Sequence, residues 1–180
     1  LKPLKAVLLD RDGVLNVNRQ GHVLSLADWE WLPQALRACR RLSAAGLRLA
    51  VVTNQAVVGR GVLAEEQLHA IHRRMKDDLL TAGVAVDEVW YCPHEATAGC
   101  ACRKPEPGLL LRALASLDVG PHEAVMVGDH KSDLLAAAAA GVASVHVRTG
   151  RGAPPTGDIR GYIGSVPDLD AAAVLLAALA

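Results

Sequence analysis

Residues 5–16 read KAVLLDRDGVLN: an apolar run that ends on a carboxylate, turns, and carries a second carboxylate two positions later. A short continuous apolar run stopped by turn residues is the pattern of a strand buried on both faces, which a parallel sheet requires. Other runs share this build. Residues 47–53 (LRLAVVT) end in a hydroxyl, residues 86–91 form a third run, residues 124–127 (AVMV) lead into Gly128-Asp129, and residues 143–147 form a fifth. Helical spacing fills the gaps. Leu36, Cys39 and Leu42 recur before a stop at Gly46, and Cys39 reads as a small core residue. Leu68, Ile71, Met75 and Leu79 mark one helix face, with Glu65 and Glu66 near its start and Gly83 past its end. Residues 109–117 and 132–140 supply two more helices, the second with Ser132 or Asp133 placed to cap it and Gly141 to stop it. The Gly- and Pro-rich residues 149–167 read as an irregular excursion, and residues 168–180 as a closing helix. The expected architecture is α/β: a doubly wound, mostly parallel sheet with helices on both faces, in one domain over residues 1–180.

Composition narrows the class. Of 180 residues, 51% are hydrophobic and 21% charged, with no Phe, so the core is expected to be aliphatic. Lys+Arg and Asp+Glu number 19 each, and this zero net charge shows no basic surplus of the kind a nucleic-acid partner requires. No apolar run reaches the roughly 18 residues that span a bilayer, and the opening residues lack the order of a secretory signal. The expectation is a cytoplasmic protein without a membrane partner, its size and charge compatible with a monomer.

Ligands of open α/β sheets bind beyond the carboxyl ends of the strands. Asp10, Thr53 and Asp129 stand at such ends, and Lys104 lies in a loop after another. Asp10 and Asp12, at i and i+2, face the same side of an extended segment. One can attack phosphorus while the other handles the proton on the leaving oxygen. Two anions facing a phosphate need a cation, and Mg²⁺ takes one or two carboxylates plus phosphate oxygens. Singly, each residue has a plainer role: a turn at Asp10–Asp12 or at Asp129, a cap at Thr53, a solvated lysine at Lys104. Asp133 suits helix capping or support better than metal contact.

Residues 8–16 (LLDRDGVLN) resemble the first motif of the haloacid dehalogenase-like phosphatases. Thr53-Asn54-Gln55 resembles their second motif, Arg103-Lys104-Pro105 their third, and Gly128-Asp129 with Asp133 their fourth. The resemblance implies a nucleophile at Asp10 and a general acid/base at Asp12. It implies phosphoryl binding by Thr53 and Lys104, with Mg²⁺ held by Asp10, Asp129 and the backbone carbonyl of Asp12. No large cap domain fits between the first two motifs, only a helix and a short flap at residues 18–24.

Cys92-Pro93-His94 and Cys100-Ala101-Cys102 supply three thiols and an imidazole, enough for a closed tetrahedral Zn²⁺ site, which is structural. A disulfide within the cluster is the alternative. The site would staple a loop at residues 92–102 and deliver Arg103 and Lys104 to the active edge. The segment CPHEATAGCACRKP is similar to the zinc-containing branch that holds D-glycero-D-manno-heptose 1,7-bisphosphate 7-phosphatases and histidinol-phosphate phosphatases. The first group is the nearer resemblance, and it implies removal of the 7-phosphate from a small sugar bisphosphate. It also implies substrate contacts from Asn18, Arg19, Gln20 and Gly21, and from Asn54, Gln55 and Arg103. Departures are Ala56-Val57, where that group commonly carries Ser-Gly, and His130, where it often has Lys. His130 is either a substrate contact or a surface helix residue. A histidinol-phosphate phosphatase and a non-catalytic zinc-stabilised binding domain are the other readings.

Overall fold

The computed structural model describes residues 3–180. Its six strands are β1 (Ala6–Leu9), β2 (Arg48–Asn54), β3 (Glu88–Cys92), β4 (Ala124–Gly128), β5 (Ala143–Val147) and β6 (Tyr162–Val166). They form one sheet in the order β3-β2-β1-β4-β5-β6, and every pair is parallel. The helices are α1 (Ala35–Ala44), α2 (Ala56–Gly59), α3 (Glu65–Thr81), α4 (Gly108–Ser116), α5 (Lys131–Ala140) and α6 (Leu169–Ala177).

The two-residue alternation of side chains divides each central strand between two cores. Val7, Leu9, Leu49, Val51, Val125 and Val127 pack with α1, α6 and the end of α3 on one face. Ala6, Leu8, Ala50, Val52 and Met126 pack with α4 and α5 on the other. Both faces are covered, which explains why these strands read as unbroken apolar runs. The cores are aliphatic, and Cys39 is fully buried in the first of them.

Residues 149–167 depart from the irregular reading because they contain β6. This edge strand is half-exposed, interrupted by Gly164, and out of register with β5 at a bulge between Ser144 and Val145. An edge strand with one solvated face has no apolar run to announce it. Asp133 caps α5 as expected, but the N-cap position belongs to another residue. His130 is the N-cap, its Nδ1 accepting from the Ser132 amide at 3.2 Å, while Asp133 reaches back to accept from the His130 amide at 3.1 Å.

Between β1 and α1 the chain runs through a loop and one 3₁₀ turn, Leu26–Asp28, and no cap domain is inserted. Val23 on this flap joins a satellite core with Val57, Leu63, Leu68 and Ile71. Among the described residues no helix is long and apolar enough to cross a membrane.

Candidate active site

The carboxyl ends of β1, β2 and β4 deliver Asp10, Thr53 and Asp129 to one cleft of about 590 Å³, and the loop after β3 delivers Lys104. The Lys104 ammonium is 3% exposed overall and all its donors are used. It lies 2.9 Å from Asp10 Oδ1 and 2.6 Å from Asp133 Oδ1, and it donates to the Val52 carbonyl at 2.8 Å. Burial alone would lower its pKa, but Asp10 and Asp133 outweigh that and raise it. Asp133 therefore does more than cap α5: it holds the lysine in the floor of the cleft.

One oxygen each from Asp10, Asp129 and Asp133 fall within 4.8 Å of one another, all three residues buried. A single lysine does not balance three carboxylates. Burial pushes the Asp10 carboxyl up to about 7, Lys104 opposing and Asp133, Asp129 and Asp12 adding to the rise. Burial raises Asp129 as well, although the Arg151 amide donates to its Oδ2 at 2.7 Å. A hard divalent cation relieves this crowding, so the donor set fits Mg²⁺.

Asp12 has left the strand. The Arg11 carbonyl accepts from the amides of Val14, Leu15 and Asn16, and Asp10 and Asp12 line the cleft while Arg11 between them does not. Gly13 sits at φ +85°, and a Cβ there would fall 2.4 Å from Asp129 Oδ2, so the turn requires glycine. The Asp12 carboxylate accepts from Arg11 Nη2 at 3.1 and 3.0 Å, Asn16 Nδ2 at 2.9 Å and Gln55 Nε2 at 2.9 Å. Burial would raise its pKa, yet these partners, Arg11 first, bring it below the usual range.

The remaining expected residues fall into two groups. Asn18, Asn54, Gln55, Arg103 and His130 line the cleft. Asn54 uses both ends of its amide on the Lys104 backbone, at 3.0 and 3.1 Å, and Gln55 Nε2 bridges Asp12 and the Thr53 hydroxyl. Both amides thus hold the site's own parts in place. Arg19, Gln20 and Gly21 are not among the lining residues, and Arg19 turns away to the Asp28 carbonyl and Glu30. His22, Arg60 and Arg151 are lining residues that the site reading passed over. Ala56 and Val57, in place of Ser-Gly, open α2 and line the cleft too, Val57 belonging also to the satellite core.

Beside the cleft, Cys92, His94, Cys100 and Cys102 place one donor atom each within 4.8 Å of the others. The sulfur–sulfur separations are 3.2 to 3.6 Å and the cysteines are free, so no disulfide joins them. His94 Nδ1 lies 3.5 Å from Cys92 Sγ and 3.3 Å from Cys102 Sγ. Zinc–sulfur bonds of about 2.3 Å in a tetrahedron put sulfurs roughly 3.7 Å apart, and this quartet fits Zn²⁺.

The family model described as HAD-hydrolase-like matches residues 101–171. A D-glycero-β-D-manno-heptose-1,7-bisphosphate 7-phosphatase of Pseudomonas putida is 39% identical over 149 residues, 83% of this chain and 85% of that protein. The chain belongs to the haloacid dehalogenase-like phosphatases. Among solved structures, a D,D-heptose 1,7-bisphosphate phosphatase from B. bronchiseptica complexed with magnesium and phosphate superposes with a TM-score of 0.89. It is 38% identical, over 98% of this chain and 100% of that one. A second, from Burkholderia thailandensis, gives a TM-score of 0.69 at 30% identity, over 94% and 96%. This haloacid dehalogenase-like phosphatase therefore combines a buried carboxylate–lysine floor with a rim bearing His22, Arg60, Arg103, His130 and Arg151.

Proposed function

We propose that this phosphatase removes the 7-phosphate of D-glycero-β-D-manno-heptose 1,7-bisphosphate through an aspartyl-phosphate on Asp10. The observation that carries the reading is the pairing, in one cleft, of the Asp10–Lys104 floor with the arginine- and histidine-bearing rim. The floor takes the phosphate that reacts, and Arg103 and its neighbours take the second one, as planar multi-donor groups do. The relatives' names support the choice of sugar.

In the first step an Asp10 carboxylate oxygen attacks phosphorus in line, and Asp12 gives a proton to the departing alkoxide. Lys104 and Thr53 stabilise the charge that gathers on the transferring group. In the second step Asp12 takes a proton from the water that attacks the aspartyl-phosphate, and the donors around Asp12 favour the base form this step needs. Asp10, Asp129 and the Asp12 carbonyl would hold Mg²⁺, which when bound offsets the carboxylates' repulsion and draws charge from the phosphoryl oxygens.

Phosphate release tests the substrate, using both anomers of the heptose bisphosphate, fructose 1,6-bisphosphate and histidinol phosphate, with magnesium and with EDTA. The expected result is a magnesium-dependent preference for the β-heptose bisphosphate. Preference for histidinol phosphate overturns the sugar while keeping the chemistry. No release from any of them by folded, zinc-loaded protein overturns the catalytic reading.

Zn²⁺ at the Cys92–His94–Cys100–Cys102 quartet would be structural, since four protein donors leave no position for substrate. It would tie β3 to the segment that carries Arg103 and Lys104. Cys102→Ala is expected to empty the site and lower the melting temperature by on the order of 10 °C. Metal analysis and calorimetry on the same sample check this, and an unchanged melt with unchanged zinc content refutes it.

A further inference from the structure

Arg11 stands between two aspartates in sequence, yet it is 1% exposed. Its Nη2 donates to both oxygens of Asp12, and its Nη1 donates to Nε2 of His72 at 3.1 Å. The guanidinium carbon lies 6.0 Å from the centroid of the Trp29 ring, within cation–π range. Nε has no hydrogen-bond partner. The in-plane orientation of the guanidinium thus depends on two anchors, Asp12 on the cleft side and His72 on the other.

His72 arrives from α3, 61 residues further along the chain, and does not line the cleft. It shares the buried face of α3 with Leu68, Ile71, Met75 and Leu79, where an aliphatic residue meets no desolvation cost. Arginine only donates, so Nε2 of His72 must accept, which sets the neutral Nδ1–H tautomer. Without that acceptor Nη1 is left buried and unpaired, and the plane that grips Asp12 is free to turn.

We propose that His72 is a positioning residue for leaving-group protonation, acting through Arg11 to hold the Asp12 carboxyl toward the departing oxygen. The inference rests on Asp12 being the general acid. It distinguishes His72 from an ordinary core histidine because only some substrates need the proton. An alkoxide leaves poorly without one, whereas 4-nitrophenolate leaves unaided.

The test uses the magnesium- and zinc-loaded enzyme and reads kcat/KM, which for both substrates ends at departure of the leaving group. His72→Leu is expected to lower kcat/KM about tenfold or more for the sugar bisphosphate and to change it less than about twofold for 4-nitrophenyl phosphate. His72→Gln, whose amide oxygen can accept from Arg11, restores the sugar bisphosphate. If His72→Leu does not fold, His72→Asn, too short to reach Arg11, carries the same comparison. Equal losses on the two substrates, or no loss on either, overturn the proposal. Asp12→Asn separates the two failures. If it discriminates between the substrates and the His72 variants do not, Asp12 stands as the acid and His72 falls; if it does not, both fall.

Discussion

Asp10→Asn is expected to lower turnover by about 10⁴-fold or more while making the metal-free protein harder to melt at pH 8. The first effect follows from the proposed nucleophile, since an amide oxygen in the same place cannot form the aspartyl-phosphate. The second follows from the crowding of Asp10, Asp129 and Asp133 around one lysine. Asp10 titrates at about 7 in the folded chain against 3.8 ordinarily, so the folded state holds the extra proton. Its contribution is fully present below pH 3.8 and is lost as the pH rises through 7. The size is up to roughly 4 kcal/mol for a shift of about three units. His72, pushed down to about 3 by burial and then by Arg11, works in the opposite sense as the pH falls below 6.5. Both proteins carry His72, so the informative quantity is the difference in melting temperature, variant minus parent, in EDTA. That difference should grow between pH 4 and pH 7 and shrink on adding Mg²⁺ to the parent. Retained turnover in the variant sinks the covalent mechanism, and a flat difference sinks the crowding argument.

Lys104→Met is expected to be the more damaging substitution to the fold. Methionine preserves much of the stem's packing but removes the cation that Asp10 and Asp133 share at 2.9 and 2.6 Å. Removing one partner of a buried ion pair typically costs about 3–5 kcal/mol, because the other charge stays buried. The melting temperature in EDTA should fall by about 10 °C or more, with turnover down at least roughly 10³-fold. Combining Lys104→Met with Asp10→Asn should recover part of the lost stability, because one stranded carboxylate is gone. A single variant that melts like the parent would show that the lysine is not what balances this cluster.

Strands buried on both faces could be read from sequence because apolar side chains fill them, and β1, β2 and β4 are of this kind, while β5 alternates its valines with the buried Ser144 and His146. The half-exposed β6 carries Gly164 and a bulge, and no such signal. The cysteine–histidine quartet and the aspartates, which the fold gathers into two clusters, were legible because metal-ligand chemistry dictates residue type and spacing. Arg11 was not. An arginine between two aspartates reads as a solvated charge, and only the tertiary structure reveals that Trp29 and His72 enclose it. Asn54 and Gln55 were recognisable as site residues, but not as the braces of Lys104 and Asp12. Arg151 acts on Asp129 through its backbone amide, which has no sequence signature. Arg19 shows the converse, since its motif position placed it near substrate and its pairing with Glu30 draws it elsewhere.

The strand order has a further meaning for the chain as it is made. β1 lies between β2 and β4, so half of its ladder partners are residues 124–127. A nascent chain that reaches only to about residue 100 exposes the strand leading to Asp10 with one edge bare, and Asp129 does not yet exist. Such a chain has an unclosed long-range loop, and the contacts that would reward closing it arrive late. The site is therefore complete only once β4 and Asp129 have been added, and a chain cut before them is an aggregation hazard rather than a weak phosphatase.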